Sequence, residues 1–148
     1  SVSRGLGDVY KRQMPGSGTQ ICSQFEELAQ VIEQVNLKDK VGVCLDASAV
    51  WAAGYDIVND LDGVLDQFDK AIGLDKLLAV HLNDCKEACG AHADRHARIG
   101  EGAIGFEALS ALTNHPALKE KPFYLEEPLD TLSVYSEDIL RFTEAHQG

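Results

Sequence analysis

VHLNDCKEACGAHADRHARIGEGAIG, residues 80–105, concentrates the chemistry of this chain in one run. It starts inside the apolar stretch LLAVHL (77–82), passes through His81, Asp84, His92, Asp94 and His96, and closes on three glycines spaced through 100–105. Two other stretches share its form: VGVCLDASAVWAAGYDI (41–57) and FYLEEP (123–128). In each, a short apolar run leads into carboxylate or imidazole. Apolar runs this short, set between segments of helical spacing, are expected to be strands buried on both faces.

The rest of the chain supplies the helices. Residues 26–35 place apolar side chains at helical spacing, and residues 61–72 repeat the pattern with Leu61, Val64, Leu65, Phe68 and Ile72. Further helices are expected at 106–112 and 134–142, and strands at 41–45, 77–82 and 122–125. This alternation predicts an α/β fold with a parallel sheet and right-handed crossovers. No low-complexity linker interrupts it, so one unit of three strand-helix repeats is expected.

In such folds the reactive groups sit where strands end and loops begin. Asp46, His81 and Glu126 all fall at that place, one on each expected strand. Asp94 and His96 are two apart, so in an extended segment they point the same way while Arg95 points elsewhere. Each residue alone has an ordinary explanation: Asp46 as a cap, His81 as a core histidine, the others as solvated groups. Together, at three strand ends and an adjacent loop, carboxylate oxygen and imidazole nitrogen point to a metal site for zinc or manganese.

At this point the segments resemble a known family, the endonuclease IV family of zinc-dependent apurinic endonucleases. Its pattern G-V-C-L-D-T-C-H followed by A-G-Y-D-I is met by Gly42, Val43, Cys44, Leu45 and Asp46, then by Ala53, Gly54, Tyr55, Asp56 and Ile57. Its H-L-N-D-S-K, D-R-H and G-x-G-x-I-G are met by 81–86, 94–96 and 100–105, and its L-E-T by Leu125, Glu126 and Glu127. The resemblance implies a partial (β/α)8 TIM barrel made of the last three strand-helix units, because a closed barrel takes about 250 residues and this chain has 148. It also implies up to three zinc ions, with Asp46, His81 and Glu126 acting catalytically through one and Asp94 and His96 holding another. The implied activity is hydrolysis, in base excision repair, of the phosphodiester 5′ to an abasic site in DNA by a cytoplasmic monomer. Lys86, Arg95 and Arg98 would touch the DNA backbone, which fixes register without reading sequence. Trp51 and Tyr55 would either fill the gap left by a missing base or pack in the core.

Two departures from the pattern bear on activity. Asp46, Ala47, Ser48 and Ala49 stand where the family has Asp-Thr-Cys-His, so Ala49 occupies a ligand histidine's position and offers no lone pair. Residues 1–13, SVSRGLGDVYKRQ, have no periodicity, and 8–13 back-translate to GATGTGTATAAGAGACAG, which resembles a sequencing-library transposon end. They are expected to be a non-native leader, with the barrel segment beginning near Met14 and running to 148. A bridging glutamate of the family would fall at Arg12, inside that leader. With ligands missing, this chain is expected to be inactive alone. Two alternatives stay open: a metal-dependent sugar isomerase or epimerase of the same barrel clan, and a non-catalytic member that binds metal or DNA.

Composition excludes other classes. The chain carries a net charge of −11; residues 1–13 hold +2 of it, through Arg4, Lys11 and Arg12 against Asp8, which leaves −13 for the remainder. That argues against a general nucleic-acid coat, whose affinity comes from Lys and Arg at phosphates, while bound cations can reverse the local field. No apolar run approaches the roughly 18 to 20 residues of a membrane span. Cys22, Cys44, Cys85 and Cys89 form no disulfide framework and are expected to be reduced. The G-x-G-x-x-G at 100–105 follows a charged loop rather than a strand, so it is not a dinucleotide site. A structural zinc module from His81, Cys85, Cys89, His92 and His96 would leave Asp94 and Glu126 without a purpose.

Overall fold

The computed structural model describes residues 24–36, 38–128 and 132–146. The leader expected at 1–13, and Cys22, lie outside the described residues.

Helix α1 (Phe25–Glu33) puts Glu26 and Glu27 in its first turn, where carboxylates favour the positive end of the helix dipole, and buries Phe25, Leu28 and Ile32. A 3₁₀ turn (Lys38–Lys40) leads to strand β1 (Val43–Asp46), which runs directly into the short helix α2 (Ala47–Ala52). Helix α3 (Leu61–Ala71) is capped by Asp60, whose carboxylate accepts the Gly63 N–H at 3.1 Å, and it buries Val64, Leu65 and Phe68. After a second 3₁₀ turn (Leu74–Lys76) come β2 (Leu77–Leu82) and a hairpin of β3 (Asp84–Cys85) with β4 (His96–Ala97). Helix α4 (Phe106–Asn114), β5 (Phe123–Leu125) and α5 (Leu132–Ala145) complete the chain.

The main sheet is parallel, in the order β1-β2-β5. This is the expected set of three strand-helix repeats, β1 with α3, β2 with α4 and β5 with α5. One register detail decides which face of β2 is buried. Val43 pairs with Leu77, yet the next residue, Cys44, pairs with Ala79, so Leu78 is an extra residue in a bulge. The bulge resets the alternation: Leu77 and Val80, three apart, are both fully buried, while Leu78 is 55% exposed.

Core packing joins the helices and this sheet in one buried cluster. The Phe25 ring stacks on Tyr55 with centroids 3.9 Å apart and meets Phe68 edge-on at 5.2 Å. Tyr55 turns its hydroxyl inward, accepting the Phe25 N–H at 2.9 Å and donating to Gln24 at 3.1 Å. Trp51 is equally buried, and its indole N–H donates to the Glu87 carbonyl at 2.9 Å. Both aromatic side chains are therefore spent on core packing.

The glycine-rich loop has a structural purpose. Asp84, fully buried, accepts backbone N–H groups from Cys85, Gly100, Gly102, Ile104 and Gly105 at 2.9 to 3.3 Å. The loop thus forms an anion cradle filled by the chain's own carboxylate. Gly102 has no room for a side chain there, since a Cβ would stand 2.3 Å from Asp84 Oδ1 and 2.5 Å from the Cys85 carbonyl oxygen.

Candidate metal centre

β1, β2 and β5 end side by side, and their register brings Asp46 opposite His81. Glu126 follows β5 and extends the ladder through its N–H to the Leu82 carbonyl at 3.0 Å. His81 Nδ1 lies 3.9 Å from Asp46 Oδ2 and 3.6 Å from Glu126 Oε2. One ligand atom from each of the three lies within 4.8 Å of the other two. A second group shares Asp46: it joins Asp94 and His96, whose ligand atoms meet the same limit, with His96 Nε2 3.5 Å from Asp94 Oδ1. The five expected ligands therefore converge at one rim of the sheet.

Local structure explains the placement. Asp46 Oδ1 caps α2 by accepting the Ala49 N–H at 3.0 Å, which leaves Oδ2 toward His81. The β3-β4 hairpin pairs Cys85 with His96, so β4 opens on His96 and the loop just before it brings Asp94 to the same rim. Asn83, fully buried, ties the two parts together: its Oδ1 accepts the Ser48 N–H at 2.8 Å, and its Nδ2 lies 3.3 Å from His96 Nε2. Ser48 is also fully buried, and its hydroxyl donates to Asp94 Oδ1. Neither Ser48 nor Asn83 stood out in the sequence. The available signal was their position, polar residues directly after an apolar run where a buried polar group must find partners.

Electrostatics fit a cation. Burial, and then the nearby Asp94 carboxylate, push the Asp46 carboxyl above its ordinary value. His81 is pushed up to about 10, first by the Cys44 side chain that hydrogen-bonds its ring and then by Glu126, against the opposing effect of burial. Its Nδ1 is buried and makes no hydrogen bond. An imidazole nitrogen without a hydrogen bond, faced by two carboxylates, is the donor set a divalent ion takes. Behind this group, burial and a hydrogen bond with Asp138 push Glu127 up to about 7, while its Oε1 accepts the Ile99 N–H at 3.3 Å.

The remaining candidates fall out differently. Ala49 is buried and brings no donor to the second group. Arg95 pairs with Glu87, and Arg98 with Glu101 at 4.0 Å and Glu137 at 3.6 Å, while Lys86 is exposed. Neither metal-capable group among the described residues contains Cys85, Cys89 or His92, so the structural zinc module does not assemble. Cys44, Cys85 and Cys89 are free thiols. Among the described residues, no helix is long and apolar enough to cross a membrane.

The profile of the xylose isomerase-like TIM barrel family matches residues 9–144. The chain belongs to that family. Within it, this xylose isomerase-like chain is 54% identical, over 155 aligned positions, to the "Probable endonuclease 4" of Alkaliphilus oremlandii (strain OhILAs), covering 99% of this chain and 55% of that protein. It is 52% identical to the "Probable endonuclease 4" of Methanosphaera stadtmanae over 88% of this chain and 47% of that one. The crystal structure of endonuclease IV from Thermus thermophilus superposes with a TM-score of 0.79 at 36% identity, covering 90% of this chain and 47% of that chain. This member of the family thus spans about half the length of the relatives it matches.

Proposed function

We propose that this chain supplies part of the metal centre of a zinc-dependent apurinic/apyrimidinic endonuclease, a hydrolase of base excision repair acting on DNA that contains abasic sites. The observation that carries the reading is the convergence of Asp46, His81 and Glu126 on one rim, with Asp94 and His96 adjacent. Similarity to proteins named probable endonuclease 4 supports DNA as the substrate.

Asp46, His81 and Glu126 would hold one ion, and Asp46, Asp94 and His96 a second. A divalent ion bound there supplies Lewis acidity toward a phosphoryl oxygen and lowers the pKa of water. The chain's own residues do the positioning. Asn83 and Ser48 hold Asp94 and His96 in place, and the Asp84 cradle anchors the loop that follows β4. An abasic nucleotide leaves the stack at reduced cost, because no base pair has to be broken. Lys86, Arg95 and Arg98 are the basic groups available to the backbone near this rim, the arginines once they exchange their carboxylate partners for phosphate.

The 148-residue chain by itself is inactive in this reading, because Ala49 removes a ligand and five residues do not make the full cluster that the resemblance implies. The test is nicking of a duplex that carries one abasic site, with and without chelator. A chimera that joins the N-terminal half of a relative to this chain, with Ala49→His, should nick in a chelator-sensitive way and lose that activity on His81→Ala. Turnover of a sugar by the chimera, with intact DNA, would instead establish the isomerase alternative. Chelator-sensitive cleavage by the unmodified chain would overturn the claim of inactivity.

A further inference from the structure

The two proposed metal positions differ in what surrounds them. Around the second, Asp46 and Asp94 contribute carboxylates and His96 one imidazole, and the side chain at 49 contributes nothing. One more oxygen stands beside Asp94. Ser48 is fully buried, its hydroxyl bonds Asp94 Oδ1, and its backbone N–H is clamped by Asn83 at 2.8 Å. Held at both ends, this hydroxyl has little freedom to leave. It donates now, but a hydroxyl also has two lone pairs and turns its hydrogen away when a cation is near.

We propose that Ser48 Oγ completes the second position, making it an oxygen-rich site whose preference is shifted from zinc toward a hard divalent ion of the manganese class. The inference rests on the reading above, in which the Asp46, His81 and Glu126 group binds a divalent ion. Two carboxylates, one hydroxyl and one imidazole form a donor set three parts oxygen. Carboxylate, hydroxyl and water donors suit magnesium and manganese, whereas zinc gains most from imidazole and thiolate in a tetrahedral set. Replacing an imidazole donor by alanine and recruiting a hydroxyl therefore removes more from zinc than from manganese. Zinc remains the tighter ion at most nitrogen-bearing sites, so the quantity that changes is the ratio between the two metals. The shared Asp46 also sets a geometric condition: its carboxylate belongs to both groups, so the second position is built against the first rather than apart from it.

The experiment titrates the metal-free 148-residue chain with manganese, followed by the loss of the free-ion signal in electron paramagnetic resonance, and in parallel with zinc against a chromophoric chelator. Two manganese positions are expected, one abolished by His81→Ala and the other weakened by about tenfold in Ser48→Ala, as for loss of a supporting or liganding group. Ser48→Cys should weaken manganese at that position while tightening zinc, opposite movements that misfolding cannot produce. Ala49→His should raise zinc affinity well beyond manganese affinity. If Ser48→Ala leaves both manganese constants within about twofold, or Ser48→Cys moves both metals the same way, the hydroxyl is only a hydrogen-bond partner and the inference fails alone. Binding at the His81-dependent position without a second position also defeats it alone, and absence of any divalent binding defeats both readings.

Discussion

Asp84→Asn tests whether the glycine-rich loop stands on one carboxylate. In the native chain its two oxygens collect five backbone N–H groups: Cys85, Ile104 and Gly105 on Oδ1, and Gly100, Gly102 and again Gly105 on Oδ2. Asparagine keeps the shape but replaces one oxygen with an NH₂ that faces donors. If the amide oxygen takes the Oδ1 place, the Gly100 and Gly102 N–H groups lose their acceptor and meet another donor. A buried donor left unpaired costs about 1 to 3 kcal/mol, so two of them predict a loss of about 2 to 6 kcal/mol. That is a large part of the roughly 5 to 15 kcal/mol by which a domain is stable. Urea unfolding of both proteins gives the difference, and amide hydrogen exchange gives its location. Gly100 and Gly102 should lose protection first. A stability change below about 1 kcal/mol, with protection at those amides retained, would refute the claim that Asp84 organises the loop.

Other outcomes follow from single contacts. Gly102→Ala should destabilise by about 2 to 3 kcal/mol, because its Cβ meets both Asp84 Oδ1 and the Cys85 backbone; a near-wild-type urea midpoint would show that the loop can shift. Tyr55→Phe removes the acceptor of the Phe25 N–H and the donor to Gln24 while keeping the ring stack, and should cost about 1 to 2 kcal/mol, read by thermal unfolding. For pH, the His81 pKa is raised to about 10; in the metal-free chain its contribution to stability is full below its unfolded value of about 6.5 and disappears as pH rises through about 10. Metal must displace that proton, so zinc affinity at this position should rise by about one log unit per pH unit between neutrality and about pH 9. Chelator competition at three pH values checks the slope, and His81→Ala should flatten it.

Much of this protein was legible one residue at a time. Helical spacing at 61–72 and apolar runs at 77–82 and 122–125 are local patterns that only one secondary structure buries, and α3, β2 and β5 form there within a residue or so at each end. Because strands in such a sheet run parallel and end together, Asp46, His81 and Glu126 had to share a rim once each was placed at a strand end. The helix α2 and the two-residue strands β3 and β4 were not legible, since six residues buried on every side and pairs of two residues have no periodicity. Only the tertiary structure decided the remainder. It placed Asp46 in both ligand groups, gave the glycines of 100–105 an internal carboxylate to wrap, turned Tyr55 and Trp51 into the core, and brought Ser48 to Asp94 from 46 positions away in sequence. The physical reason is common to all four: a buried polar or aromatic group takes whichever partner the packed chain brings within reach, and that partner is set by contacts between segments far apart in sequence, which no local pattern encodes.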